Sequence, residues 1–237
     1  MIVLKFGGSS VDSAAGIERV VGLIGERRAR RPVVVVSAMA KTTRRLLAAG
    51  EAAAAGDLPG ARAIAAEIAA FHRDAARPVT PEGSLDPLFA EHFGALDRAL
   101  ARITGAGVFS PADEDLVASF GELLSSAILA LALHRRGVEA LHVDCRQVIV
   151  TDDRFTQARP DYPESDARLQ ARLRPIVEAG AVPVLGGYVG ATRQGVTTTL
   201  GKEGSDFSAA IVGAALGADE VQIWTDVDGI LSADPRL

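Results

Sequence analysis

A chain of 237 residues, 48% hydrophobic and 23% charged, is long enough to bury one sizeable core and too apolar for bulk disorder. Its formal net charge of −5, from 30 acidic against 25 basic residues, argues against broad nucleic-acid binding. The single cysteine, Cys145, has no partner within the chain, so the expected setting is a reducing cytoplasm.

Ile2–Phe6 is predicted as a first strand running into Gly7-Gly8, without the basic start and cleavage site of a signal peptide. The first helix is expected over Asp12–Arg30, where Ile17, Val20, Val21 and Ile24 recur at helical spacing. Its Arg27, Arg28, Arg30 and Arg31 read as a solvated helix end. Val33–Ser37 opens with four consecutive valines, as a strand covered on both faces should. Helices follow at Thr43–Ala55 and Ala61–Ala76, then a proline-containing loop over Arg77–Ser84, then helices at Leu88–Ile103 and Asp113–Arg136.

A strand is predicted at Val138–Val143, a helix at Glu164–Ala179 and a strand at Val182–Leu185. Tyr188–Leu200 reads as a β-hairpin turning at Thr192-Arg193-Gln194-Gly195. A last helix begins at Ser205 and ends near Gly217, before a strand at Val221–Trp224. No apolar run approaches the ~20 residues of a membrane span. The alternation specifies an α/β fold in one domain: a three-layer α/β/α sandwich with a mostly parallel central sheet, plus a β-hairpin near the site.

Four strings carry chemistry. In Lys5-Phe6-Gly7-Gly8-Ser9-Ser10, glycine amides, a helix N-terminus and two hydroxyls suit an anion such as phosphate. Lys5 inside an apolar strand is the sharper clue, since lysine is rarely buried without a partner. The bland alternative is an ordinary turn with Lys5 reaching solvent. Gly201-Lys202-Glu203-Gly204-Ser205-Asp206 repeats the combination, although Ser205 and Asp206 alone would pass as an N-cap and a first-turn acid. Glu122, in Phe120-Gly121-Glu122, is either an exposed-face carboxylate or a partly buried anion for a substrate amine. Trp224-Thr225-Asp226-Val227-Asp228-Gly229, continuing to Asp234-Pro235-Arg236, ends a strand in groups that suit a nucleotide. His72, His92, His134 and His142 lack metal-ligand spacing, so no protein metal site is assigned, and Cys145 reads as inert.

In family order these strings, with Val36-Ser37-Ala38, Thr43, Asp152-Asp153-Arg154-Phe155 and Thr197–Leu200, closely resemble the catalytic domain of the aspartokinases within the amino acid kinase family. The resemblance implies ATP-dependent phosphorylation of the β-carboxylate of L-aspartate, with Mg²⁺ accompanying ATP, as the first step towards lysine, threonine and methionine. It assigns Lys5, Gly7, Gly8 and Ser9 to the β- and γ-phosphates, Asp206 to organising Lys5, and Thr225, Asp226 and Arg236 to the nucleotide. It assigns Ser37, Thr43, Glu122, Lys202 and Ser205 to the substrate pocket, with Glu122 near the aspartate ammonium group. No membrane or nucleic-acid partner is implied, and homo-oligomerisation is expected chiefly of a longer form.

Where many relatives read Gly-Arg-Gly-Gly-Ser-Asp, this chain reads Gly201-Lys202-Glu203-Gly204-Ser205-Asp206, which replaces a planar fork by a point charge and adds an acid. Leu231 stands where an aromatic residue often meets the adenine. Residues 1–237 are expected to be a kinase domain cut short at its C-terminal end, without regulatory domains. Two rival readings stand beside aspartate: a sister kinase acting on another carboxylate or a nucleotide monophosphate, and a non-catalytic nucleotide- or amino-acid-sensing module.

Overall fold

The computed structural model describes residues 1–225. Five strands form the central sheet: β1 (Ile2–Phe6), β2 (Pro32–Val36), β3 (Ala140–Val143), β5 (Val182–Gly186) and β8 (Glu220–Trp224), in the order β3-β5-β2-β1-β8. Every pairing in it is parallel, with Lys5 in register with Val35 on one side and Ile223 on the other. All carboxyl ends therefore point to one edge, where open α/β sheets hold ligands.

Helices cover both faces, as an all-parallel sheet requires. On one face, α1 (Ala14–Glu26) and α5 (Pro111–Arg135) pack Ile17, Val21, Ile24, Leu124 and Ile128 onto Leu4, Phe6, Val34 and Val184. On the other, α6 (Tyr162–Glu178) and α7 (Gly204–Leu216) pack Leu169, Leu173, Ile211 and Val212 onto Val3, Val33, Val35 and Leu185. The alternation of strand side chains between these two cores fixes the register, because a slip of one residue would exchange them.

The chain adds two parts to this sandwich. Helices α2 (Thr42–Ala54), α3 (Leu58–Ala76) and α4 (Leu85–Ala106) build a third core with Val117 and Phe120 of α5. Thus α5 is wrapped on several sides, and its apolar residues run around its whole circumference. By length and composition it could cross a membrane, but its most apolar stretch is 89% buried among its neighbours, which marks a core helix. A second sheet joins β4 (Val150–Thr151), parallel, to the hairpin of β6 (Val189–Thr192) and β7 (Thr197–Thr199).

Local signals set the helix ends. The Ser13 hydroxyl accepts from the Gly16 amide at 3.2 Å, and Ser110 with Asp113 closes a capping box at the start of α5. Gly217 ends α7 at φ +63°, a left-handed conformation that favours glycine. The first helix stops at Glu26, short of the expected Arg30, and the chain continues through a 3-10 turn over Arg28–Arg30. Its arginines are pinned more than the sequence suggested: Arg27 lies 4.8 Å over the Trp224 ring, Arg28 donates to the Gly180 carbonyl, and Arg30 pairs with Glu220 at 2.6 Å. Strand β4 escaped the sequence reading because two residues carry no periodicity.

Candidate active site

The sheet's hydrogen bonding runs on beyond the strands. The Gly7 amide donates to the Trp224 carbonyl at 3.1 Å, the Ser37 amide to Phe6 at 3.1 Å and the Gly187 amide to Val36 at 2.9 Å. These bonds line up the turns after β1, β2 and β5 at the carboxyl edge. Close packing then demands small residues. A Cβ on Gly8 would collide with the Ala38 carbonyl, and one on Gly187 would lie 2.7 Å from Ser205 Cα. The cleft between these turns has a volume of about 400 Å³.

Lys5 lies in the cleft wall and is 8% exposed. Its Nζ sits 2.6 Å from Asp206 Oδ1 of α7. That oxygen has no aligned hydrogen-bond donor, so the contact is an ion pair rather than a formed hydrogen bond. The pair answers why a lysine can occupy a core strand. At the start of α7 the N-cap residue is Glu203 at φ +58°, and its side chain makes no capping bond. This is the second corner, and Lys202, Gly204 and Ser205 line the cleft there.

Glu122 faces the same space from α5 and is 4% exposed. Burial pushes its carboxyl up to about 8, opposed by the Ala38 backbone amide. Its Oε2 has no hydrogen-bond partner. Of the two sequence readings for Glu122, the structure excludes the exposed face and buries the carboxyl. Below it, the Ser126 hydroxyl donates to the Glu122 carbonyl at 2.7 Å, and the Ser125 hydroxyl reaches the Ser37 carbonyl at 2.8 Å. The small serines thus tie α5 to the end of β2.

Lys5, Gly8, Ser37, Thr43, Glu122, Lys202, Ser205 and Asp206 all line this one cleft. Gly7 and Ser9 flank it, Gly7 at the exit of β1 and Ser9 in the following 3-10 turn. Thr225 follows the end of β8, the strand paired with β1. Asp226 and Arg236 lie outside the described residues. Larger clefts exist, including one of about 690 Å³ beside Arg73, Arg77 and Arg135. It is lined by the proline-containing loop after α3 and by none of the candidate site residues.

Sequence reasoning missed two side chains. Tyr188 lines the cleft at φ +65°, its amide donating to the Ser208 hydroxyl at 2.9 Å. Asp115, two turns before Glu122 on α5, is buried beneath the hairpin. The Gly186-Gly187 pair before Tyr188 was the available signal for the first. Among charged residues of a helix start, nothing distinguished Asp115. Cys145 is buried, and burial pushes its thiol far above the usual range, which disfavours the reactive thiolate. Among the described residues no group of three or more His, Cys, Asp or Glu converges on a metal position.

The sequence model described as "Amino acid kinase family" matches residues 1–237. The chain belongs to the amino acid kinase family. Aspartokinase 3, chloroplastic, of Arabidopsis thaliana is 37% identical over 240 residues, covering 99% of this chain and 42% of that protein. The aspartokinase of Chlamydia muridarum is 32% identical, covering all of this chain and 50% of that protein. The crystal structure of E. coli aspartokinase III in complex with aspartate and ADP superposes with a TM-score of 0.89 at 33% identity, covering all of this chain and 51% of that one. This family member therefore spans about half the length of the relatives it matches. An isopentenyl phosphate kinase at 19% identity and a TM-score of 0.53 shares the fold alone.

Proposed function

We propose that this chain catalyses ATP-dependent phosphorylation of the β-carboxylate of L-aspartate, giving 4-phospho-L-aspartate and ADP. The observation that carries this is one cleft holding a buried lysine ion-paired with a part-exposed aspartate, together with a buried glutamate whose Oε2 has no hydrogen-bond partner. A phosphoryl group suits the lysine and an α-ammonium group the glutamate. The likeness to an aspartokinase crystallised with aspartate and ADP supports the pairing of these two ligands.

In the reaction, one β-carboxylate oxygen of aspartate attacks the γ-phosphorus as the bond to the β–γ bridging oxygen breaks, and ADP leaves with that electron pair. Such a transfer needs in-line placement and positive charge around the moving phosphoryl group more than covalent help. Lys5 supplies that charge, with Gly7, Gly8 and Ser9 at the β- and γ-phosphates. Asp206 holds the Lys5 ammonium in the wall of the cleft. Glu122 takes the aspartate ammonium group, and Ser37, Thr43, Lys202 and Ser205 surround the remaining polar atoms. Thr225, Asp226 and Arg236 are assigned to the nucleotide.

Mg²⁺ fits as a companion of the nucleotide: without a convergent ligand set among the described residues, phosphate oxygens and water would hold it, with Asp206 the nearby carboxylate. It would neutralise phosphate charge. We further propose that the product feeds lysine, threonine and methionine synthesis, and that the chain works in a reducing compartment, consistent with its single buried thiol. The test couples ATP consumption to a panel of amino acids and traps the acyl phosphate with hydroxylamine. Aspartate hydroxamate is expected; its absence, with ADP formed on another acceptor, would assign a different substrate.

A further inference from the structure

Asp115 is 1% exposed, yet it makes no ion pair with any described residue. Its carboxylate is instead filled by donors from two other segments. The Thr199 amide donates to Oδ2 at 3.0 Å and the Thr199 hydroxyl to Oδ1 at 2.6 Å, while the Thr156 amide reaches both oxygens at 2.9 and 3.0 Å. Thr199 ends β7, directly before the segment that carries Lys202, Ser205 and Asp206. Thr156 sits at φ +70°, a strained conformation for a β-branched residue, and its carbonyl packs on Gly201.

Further bonds close the assembly. The Ala158 amide donates to the Thr199 carbonyl at 2.9 Å, and the Leu200 amide to the Tyr188 carbonyl at 2.9 Å. One carboxylate thus gathers the hairpin, the 152–161 loop and, through Tyr188, the end of β5. Asp115 and Glu122 stand seven residues apart on one rigid helix, about 10 Å along its axis. The position of Thr199 relative to Asp115 therefore fixes where Lys202, three residues on, stands relative to Glu122.

We infer that Asp115 is a positioning residue: by binding Thr199 and Thr156 it sets the gap between Glu122 and Lys202, in the stretch before α7 and its Asp206, and so controls the grip on the amino-acid acceptor without touching it. The inference rests on the aspartate reading of the cleft. An amide at this position keeps one acceptor but turns an N–H₂ group towards backbone donors, so the loop must move.

The test is a series on the whole chain. Asp115→Asn and Thr199→Val should each raise the aspartate KM about tenfold, with kcat and the ATP KM held within about threefold. Thr199→Ser, which keeps the hydroxyl donor, should behave as wild type. Hydrogen exchange gives a readout independent of turnover: in Asp115→Asn the amides of 199–203 should exchange faster, and those of 117–133 unchanged. Proportional losses in both KM values and kcat, tracking a fall in Tm, would overturn the inference, as would an unchanged aspartate KM. Should the wild-type chain form no aspartate hydroxamate, the substrate reading falls separately. Exchange then judges the brace alone, unchanged protection overturning it and lost protection upholding it.

Discussion

Lys5 of the first strand and Asp206 of the seventh helix meet at 2.6 Å, at a point where two glycine-containing corners of the sequence come together in one cleft. The ammonium group is the more buried partner, and the aspartate side chain remains partly open to solvent. Loss of the cation would leave a carboxylate that water can reach. Lys5→Met should therefore fold, with a Tm near wild type, and lose roughly 10²–10³-fold in kcat, the usual cost of removing a donor aimed at transition-state charge. Steady-state kinetics with a thermal melt checks this. Near-wild-type turnover would remove Lys5 from its assigned role.

The sheet was legible because its strands obey one-dimensional rules. Four valines in a row announce a strand covered twice, and Gly217 announces a helix end. The two corners were legible for the same reason, as each is a contiguous string at a strand or helix end. What stayed hidden depends on three-dimensional wrapping. Helix α5 is buried between the sheets on one side and α2 and α4 on another, so its pattern did not say which face Glu122 takes. The role of Asp115 arises only when Thr156 and Thr199, distant in sequence, fold against it. No periodicity encodes such a meeting.

Burial of Glu122 has a pH signature. Its folded value near 8 stands above the ordinary 4.5, so the native state keeps a proton that the unfolded chain releases. The associated stability is fully present below about pH 4.5 and is lost as pH rises through about 8. Glu122→Gln should then gain stability relative to wild type between pH 5 and 9, by up to about 1.4 kcal/mol per pH unit. Thermal melts across that range check the sign.

The same group predicts a kinetic profile. An ammonium ligand needs the carboxylate, so the wild-type aspartate KM should climb as pH falls below about 8, at most about tenfold per unit. Glu122→Gln should bind aspartate more weakly with a flat profile. A wild-type KM that stays level from pH 6 to 9 would detach Glu122 from the amine.

Lys202 lines the cleft beside Glu203, so its positive charge acts next to an acid. An ammonium group offers a substrate carboxylate a point charge, whereas a guanidinium offers two parallel donors. Lys202→Arg should lower the aspartate KM about three- to tenfold and leave the ATP KM unchanged. An unchanged or higher aspartate KM would show that the loop does not grip the carboxylate through this position.

Gly187 tests the packing that brings the corners together. A Cβ there would stand 2.7 Å from both Cα and Cβ of Ser205 and 2.9 Å from its hydroxyl. The first contact is with backbone, which cannot swing aside as a flexible side-chain tip would. Gly187→Ala should therefore cost about 1–3 kcal/mol, as overpacking generally does, and push Ser205 and Asp206 away from Lys5. Turnover should fall with the displacement of Asp206. Adding Ser205→Ala removes only the hydroxyl, leaving the Cα and Cβ contacts, so the double variant should melt and turn over like Gly187→Ala. Recovery of Tm and kcat in that double variant would mean that the hydroxyl alone was in the way, and that the backbone of the 201–206 loop has room to move.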